Sequence, residues 1–303
     1  MRIKKLGTLL ATGAMALSLM GACGNAPAKT SEATQGSGSS GSSLSGQITA
    51  AGSSALLPLA KAAAADFMKT NPGVTITVSG GGSGTGLKQV SDKAVTIGNS
   101  DVFAEEKLKP EQAKALVDHQ VATITMAAVV NKNLAIDNLS TADLVKVFTG
   151  QAKNWKEVGG PDQQIILVTR PSSSGTRALF QKYALNGQEE ASNAALETDN
   201  SGTLIQNVAQ NPGAIGYVAL SYTQGNNQVK PISLNNVKPT LENTNNGTYP
   251  VWGYEHMYTN GEPDAATKAY LDYMMSDTFG ATLEKMGYGV ASKLSDKAKA
   301  SHK

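Results

Sequence analysis

A β-branched run, Ile165-Ile166-Leu167-Val168-Thr169, leads straight into Arg170-Pro171-Ser172-Ser173-Ser174-Gly175-Thr176. That loop leads into a helix-forming run, Arg177-Ala178-Leu179-Phe180-Gln181-Lys182-Tyr183. A strand, a short polar turn and a helix in immediate succession form the unit from which α/β folds are built. The unit also predicts where an anion would sit. A helix start presents unpaired N–H groups and the positive end of a dipole. The hydroxyls here donate further bonds, and Arg170 supplies a fork of charged ones.

Similar units lie upstream. Gly52-Ser53-Ser54-Ala55 follows the strand candidate 47–51 and precedes an Ala-rich helix, Leu57 to Lys69, closed by Asn71-Pro72-Gly73. Gly82-Ser83-Gly84-Thr85-Gly86 follows the β-branched strand 74–78 and precedes a short helix, Gly86 to Asp92. Strands are also predicted over 95–98, 123–130, 216–219 and 251–258. Helices are predicted over 142–148, opened by a Ser140-x-x-Asp143 capping box, near 203–210, and over 264–286 with a break near Asp277. This alternation predicts an α/β fold with largely parallel strands, in which ligands gather outside the strand carboxyl ends. Arg170, Asp101 and the 80–86 glycines all fall there.

Each piece alone has a plain structural reading. The glycines could be a linker, the serines N-caps, Asp101 a turn residue and Arg170 half of an ion pair. Together they make one cation, one carboxylate and three helix starts bearing hydroxyls and glycine, which points to a bound oxyanion. The glycine loop is not a Walker A loop: Gly81 and Gly86 have the spacing, but Leu87 stands where lysine is required. Catalytic chemistry finds little support. His119, His256 and His302 lack ligand-like spacing, Cys23 is the chain's one cysteine, and no G-x-S-x-G elbow occurs. No cofactor and no metal are expected, and Trp155 and Trp252 read as core residues.

The N-terminal end reads as a targeting segment. Arg2, Lys4 and Lys5 precede an apolar stretch, Leu6 to Met20, of signal-peptide length. Met20-Gly21-Ala22-Cys23 resembles a bacterial lipobox, which makes 1–22 the signal peptide and Cys23 the lipidation site; an ordinary secretory cleavage is the alternative. Residues 23–46 are rich in Ser and Gly and read as a tether with a mean reach of roughly 25–30 Å. The 26 cations and 24 acids give +2; without Arg2, Lys4 and Lys5 the balance is 23 against 24. Such a chain is no polybasic nucleic-acid binder. Lys293 to Lys303 is polar and reads as a frayed tail.

The motifs occur in an order that resembles a known family. Gly52-Ser53-Ser54-Ala55-Leu56, Gly82 to Gln89, Ile97-Gly98-Asn99-Ser100-Asp101, Phe148-Thr149-Gly150 with Asn154-Trp155, Arg170 with Ser174-Gly175-Thr176, and Gly213 to Tyr217 are similar to the phosphate-binding lipoproteins of Pst-type phosphate importers, over about residues 47–290. The resemblance implies a two-lobed, type II periplasmic-binding-protein fold. Each lobe would hold a mixed, mostly parallel sheet flanked by helices, with the ligand in the cleft. Lobe 1 would comprise 47–125 and 255–303, and lobe 2 would comprise 126–254. It also implies phosphate contacts from Ser54, Ala55 through its N–H, Ser83, Asp101 as acceptor, Arg170, Ser174, Gly175 and Thr176. Some relatives carry an acidic residue two places after the arginine; Ser172 stands here, so a carboxylate tuning Arg170 is expected to be missing. The partners implied are inorganic phosphate, the permease subunits of an ABC importer and the membrane that holds the lipid. A monomer is expected. A binding protein for another tetrahedral oxyanion is the second reading, and a phosphoester hydrolase the third.

Overall fold

The computed structural model describes residues 44–192 and 196–302. Residues 1–22, Cys23, the tether as far as residue 43, residues 193–195 and Lys303 lie outside the described residues.

β1 (Ser45–Gly52) feeds α1 (Leu57–Thr70), β2 (Gly73–Gly80), α2 (Ser83–Ser91) and β3 (Ile97–Ser100). A short α3 (Pro110–Ala113) precedes the sixteen-residue β4 (Leu116–Asn131). Then follow β5 (Asn138–Leu139), α4 (Thr141–Phe148), β6 (Ile166–Thr169), α5 (Gly175–Ala184), β7 (Leu196–Glu197), α6 (Ser201–Gln210) and β8 (Ala214–Ala219). The chain closes with β9 (Val229–Pro231), β10 (Ser233–Leu234), α7 (Leu241–Asn245), β11 (Trp252–Asn260), α8 (Ala265–Met274), α9 (Asp277–Lys285), β12 (Tyr288–Gly289) and α10 (Asp296–Ala300).

The main sheet runs β2-β1-β3-β11-β4-β8-β6-β7. β1 is parallel to β2 and β3 on one side, and β6 is parallel to β7 and β8 on the other. β4 and β11 run antiparallel between them and join the two halves. The strand β4 changes neighbours midway. Leu116–Thr125 pairs with β11, and Met126–Val130 pairs with β8. Every residue from Val121 to Asn131 is buried, as a strand covered on both faces requires. Asp118, His119 and Gln120 in the first half of β4 are polar and at least partly exposed, which hid that half from a search for apolar runs.

Local chemistry sets the helix ends. The Ser140 hydroxyl accepts the Asp143 N–H at 3.1 Å, the bond that its capping box predicts. Ser276 caps α9 and divides it from α8, one residue from the expected break. α1 buries Leu59, Ala60, Ala63 and Phe67 in the main core, and α6 buries Leu204 and Val208 against Val168 and Val218. The tether gives way to structure at Ser45 rather than at residue 47, because Ser45 and Gly46 extend the parallel ladder with β2.

The C-terminal segment corrects an expectation. As far as His302 it is not frayed: Ser295 caps α10, and Leu294 and Ala298 are buried against Trp252. The His302 ring stacks on Trp252 at 3.8 Å and on Tyr183 at 3.9 Å. Two apolar residues four apart were enough to dock this turn, too few for a periodic signal.

Candidate functional site

Four strand ends deliver the eight candidate residues to one place. After β1, the Ser53 hydroxyl accepts the Leu56 N–H at 2.9 Å and caps the start of α1. Ser54, next along the chain, is buried. Its hydroxyl donates to the Asp199 carbonyl at 2.7 Å and lies 3.0 Å from the Ser201 hydroxyl. Ala55 follows, fully buried.

After β2, Gly81 and Gly82 turn the chain into α2, which begins at Ser83, three residues earlier than the sequence predicts. Gly82 has a φ of +88°, and a Cβ there would fall 1.9 Å from an Asp199 carboxylate oxygen, so only glycine fits. The buried Ser83 hydroxyl accepts the Asp101 N–H at 3.0 Å and keeps its own proton to donate. Asp101 follows β3. One of its oxygens accepts the Thr176 hydroxyl at 2.6 Å, and the other, Oδ1, has no protein partner.

Arg170 follows β6 and is 0 % exposed. Its guanidinium donates to the carbonyls of Asp199 at 3.1 Å and Tyr217 at 3.2 Å, to the Ser201 hydroxyl at 3.0 Å and to the Ser54 hydroxyl at 3.5 Å. It sits 5.6 Å from the Tyr217 ring centre, and that ring stacks in turn on Phe180 at 4.2 Å. Ser174 caps α5 by accepting the Arg177 N–H at 3.3 Å. The N–H groups of Gly175 and Thr176 head that helix and have no acceptor within it. At Gly175 the backbone comes so close that a Cβ would lie 2.2 Å from the Ser83 hydroxyl. The Gly84 N–H donates to the Ser173 carbonyl at 2.9 Å and Lys107 to the Ser172 carbonyl at 2.8 Å, so the second loop and the segment after β3 both touch the fourth loop.

Sequence reasoning missed four residues here. Asp199 is the most informative. Its Oδ1 is 3.9 Å from Arg170 Nη1, so the site does hold a carboxylate beside the arginine, although position 172 is serine. It arrives from the loop ahead of α6 rather than from the arginine's own loop. Burial holds the Asp199 carboxyl above its usual range, against the Ser174 hydroxyl and the Arg170 charge. The signal was present: Asp199-Asn200-Ser201-Gly202 is a fourth polar helix start, with Asn200 accepting the Thr203 N–H at 2.9 Å. Ser201 belongs to the same start. Glu255 on β11 and Glu190 behind Tyr217 carried no local signal.

Glu190 makes a prediction about stability. It is buried, 3.8 Å from Arg177 Nε, and desolvation pushes its carboxyl up to about 7 from 4.5, while Tyr217 and Arg177 oppose the rise. The folded state therefore binds a proton that the unfolded state has lost between these pH values. Stability is greatest below the unfolded value and falls as pH rises through the folded one, by at most about 3 kcal/mol. Glu190→Gln should remove this decline. Urea denaturation from pH 4.5 to 8 should show wild type losing stability relative to Glu190→Gln as pH rises; parallel curves would dismiss the assignment.

Among known proteins, a family model described as the PBP superfamily domain matches residues 30–278. The phosphate-binding protein PstS of Bacillus subtilis is 49 % identical across 91 % of this chain and 90 % of its own length. The chain belongs to the PstS family of the PBP superfamily. The PstS protein of Borreliella burgdorferi is 25 % identical across 80 % of the chain. A Clostridium perfringens structure described as a phosphate ABC transporter substrate-binding protein, with phosphate bound, superposes with a TM-score of 0.75 at 27 % identity, covering 81 % of this chain and all of that one. An ABC-type phosphate transport receptor of Vibrio cholerae gives a TM-score of 0.64 at 26 % identity. Members of this family are solute-binding proteins, not enzymes. The α/β fold with helices on both sides of a mixed sheet is the one these relatives share.

Proposed function

We infer that this protein captures inorganic phosphate outside the membrane and hands it to an ABC importer. The observation that carries the reading is the meeting of one buried guanidinium, a set of hydroxyl and helix-start donors, and one carboxylate acceptor with a free oxygen. The reading divides the chain into lobe 1, residues 47–125 and 255–303, and lobe 2, residues 126–254. The change of partners in β4 between Thr125 and Met126 supports the first boundary. Ser54, Ala55, Ser83 and Asp101 then approach phosphate from one lobe, and Arg170, Ser174, Gly175 and Thr176 from the other. A ligand held by both lobes stabilises the closed form, so binding and closure are coupled.

Proton counting supplies the selectivity. Sulfate has only acceptor oxygens and would face Asp101 with no hydrogen between them. Burying that contact costs several kcal/mol or so. Phosphate near neutral pH keeps a proton that Asp101 can accept. Asp101 therefore repels the wrong anion as well as holding the right one. Calorimetric titration of the apoprotein should give tight binding of phosphate, measurable binding of arsenate, and little binding of sulfate. Equal binding of sulfate would favour a general oxyanion receptor.

The same reading makes Cys23 the lipid anchor and the following segment a tether to a membrane carrying the permease. No helix among the described residues is long and apolar enough to cross a membrane. Cys23→Ala should abolish incorporation of a labelled fatty acid in cells. A variant that still takes up the label would exclude the anchor at this position.

A further inference from the structure

Glu255 sits on β11 and is 0 % exposed. β11 pairs antiparallel with β3, and His256 lies opposite Ser100. One step further along the register, Glu255 falls opposite Asp101, where side chains of paired strands stand about 5 Å apart. The pairing of β11 with β4 shifts between Glu255 and His256, an irregularity of the kind that re-aims a side chain. Neither Glu255 oxygen has a protein hydrogen bond of good geometry, and Asp101 Oδ1 has none either.

Two carboxyl groups so close and so dry do not both ionise. Burial, then the neighbouring Asp101 charge and contact with its carboxylate, hold the Glu255 carboxyl far above the carboxylate range. The Thr176 hydroxyl donates to the Asp101 carboxylate, whereas neither Glu255 oxygen has a donor, so the proton resides on Glu255. Of the other groups nearby, Asp199 and Lys107 act on Asp101, and the hydroxyls of Tyr222 and Tyr288 lie near Glu255. On the elements packed against β11, Arg177 turns to the Arg170 carbonyl and Glu190, Lys182 to the Tyr183 ring, Lys88 to Asp92, and Asp118 of β4 to His256.

Resting on the phosphate reading above, we propose that Glu255 is a positioning residue for anion selection: as a neutral acid it donates a hydrogen bond to the free Asp101 oxygen and keeps Asp101 an acceptor. An anion is repelled by an ionised carboxylate and not by a neutral carboxyl. A protonated Asp101 would be a donor, and a donor welcomes sulfate. The Thr176 hydroxyl and the Glu255 acid both favour the ionised form and so hold the selection in place.

The test compares wild type, Glu255→Leu and Glu255→Gln, with phosphate and sulfate dissociation constants measured from pH 5.5 to 8. The leucine variant should shift the ratio towards sulfate by about tenfold, and the shift should grow as pH falls, because Asp101 is then free to take a proton. Glutamine still donates through its amide and should rescue the wild-type ratio. In an Asp101→Asn background the leucine change should add nothing. A leucine variant with the wild-type ratio at every pH overturns the proposal. So does a glutamine variant that loses selection, which keeps the test decisive if the leucine variant fails to fold. Wild type that ignores phosphate would instead overturn the functional reading itself.

Discussion

Arg170→Ala should lower phosphate affinity by about tenfold or more, with the fold retained. Arg170 is the cation of the site and it is fully buried, so no water replaces it cheaply. A hydrogen bond to a charged group is worth roughly 1.5–3 kcal/mol, and about 1.4 kcal/mol is a factor of ten. Two such bonds to the ligand would put the loss at about a hundredfold or more. The loss is deepened by what stays behind: Asp199, 3.9 Å from the guanidinium, would face the anion without its counter-charge. Arg170 also ties Asp199, Ser201, Tyr217 and Ser54 together, so the variant should unfold more easily. Calorimetry on a variant with native circular dichroism separates the two effects. Unchanged affinity in such a protein removes Arg170 from the site.

Asp101→Asn should change selectivity more than affinity. The amide keeps the size of the side chain and loses its charge. Its oxygen still accepts from Thr176 or from a protonated ligand, and its NH₂ donates to an unprotonated one. Phosphate affinity should fall little. Sulfate should gain by about tenfold or more, because a repulsive contact becomes an attractive one. The decisive quantity is the ratio of the two dissociation constants at fixed pH and ionic strength. If the Asn variant excludes sulfate as well as the wild type does, Asp101 does not read the proton, and pocket size or another group discriminates.

The elements that the sequence predicted well are those whose causes are local. Ser140 and Ser174 cap helices by reaching three residues along the chain. Val74 to Val78 is a strand because β-branched side chains suit a pleated surface. Gly82 stands where the backbone requires positive φ. Strand ends that meet polar helix starts mark the candidate anion site, and that pattern is why Ser54, Ser83, Asp101, Arg170 and the 174–176 turn could be proposed from sequence. Family resemblance added which loops belong together.

The rest was decided by pairing between distant segments. Asp199 reaches Arg170 because β7 and the loop after it lie beside β6, not because the two residues share a motif. Glu255 meets Asp101 because the β3–β11 register brings together residues more than 150 positions apart, and a shift of one residue would turn the acid to the other face. The last turn of the chain is ordered by a single docking surface at Trp252, which its own polar composition does not reveal. Periodicity and capping act over a few residues, so a single sequence records them. Register is a property of two strands at once, and it is the β3–β11 register that sets Glu255 beside Asp101.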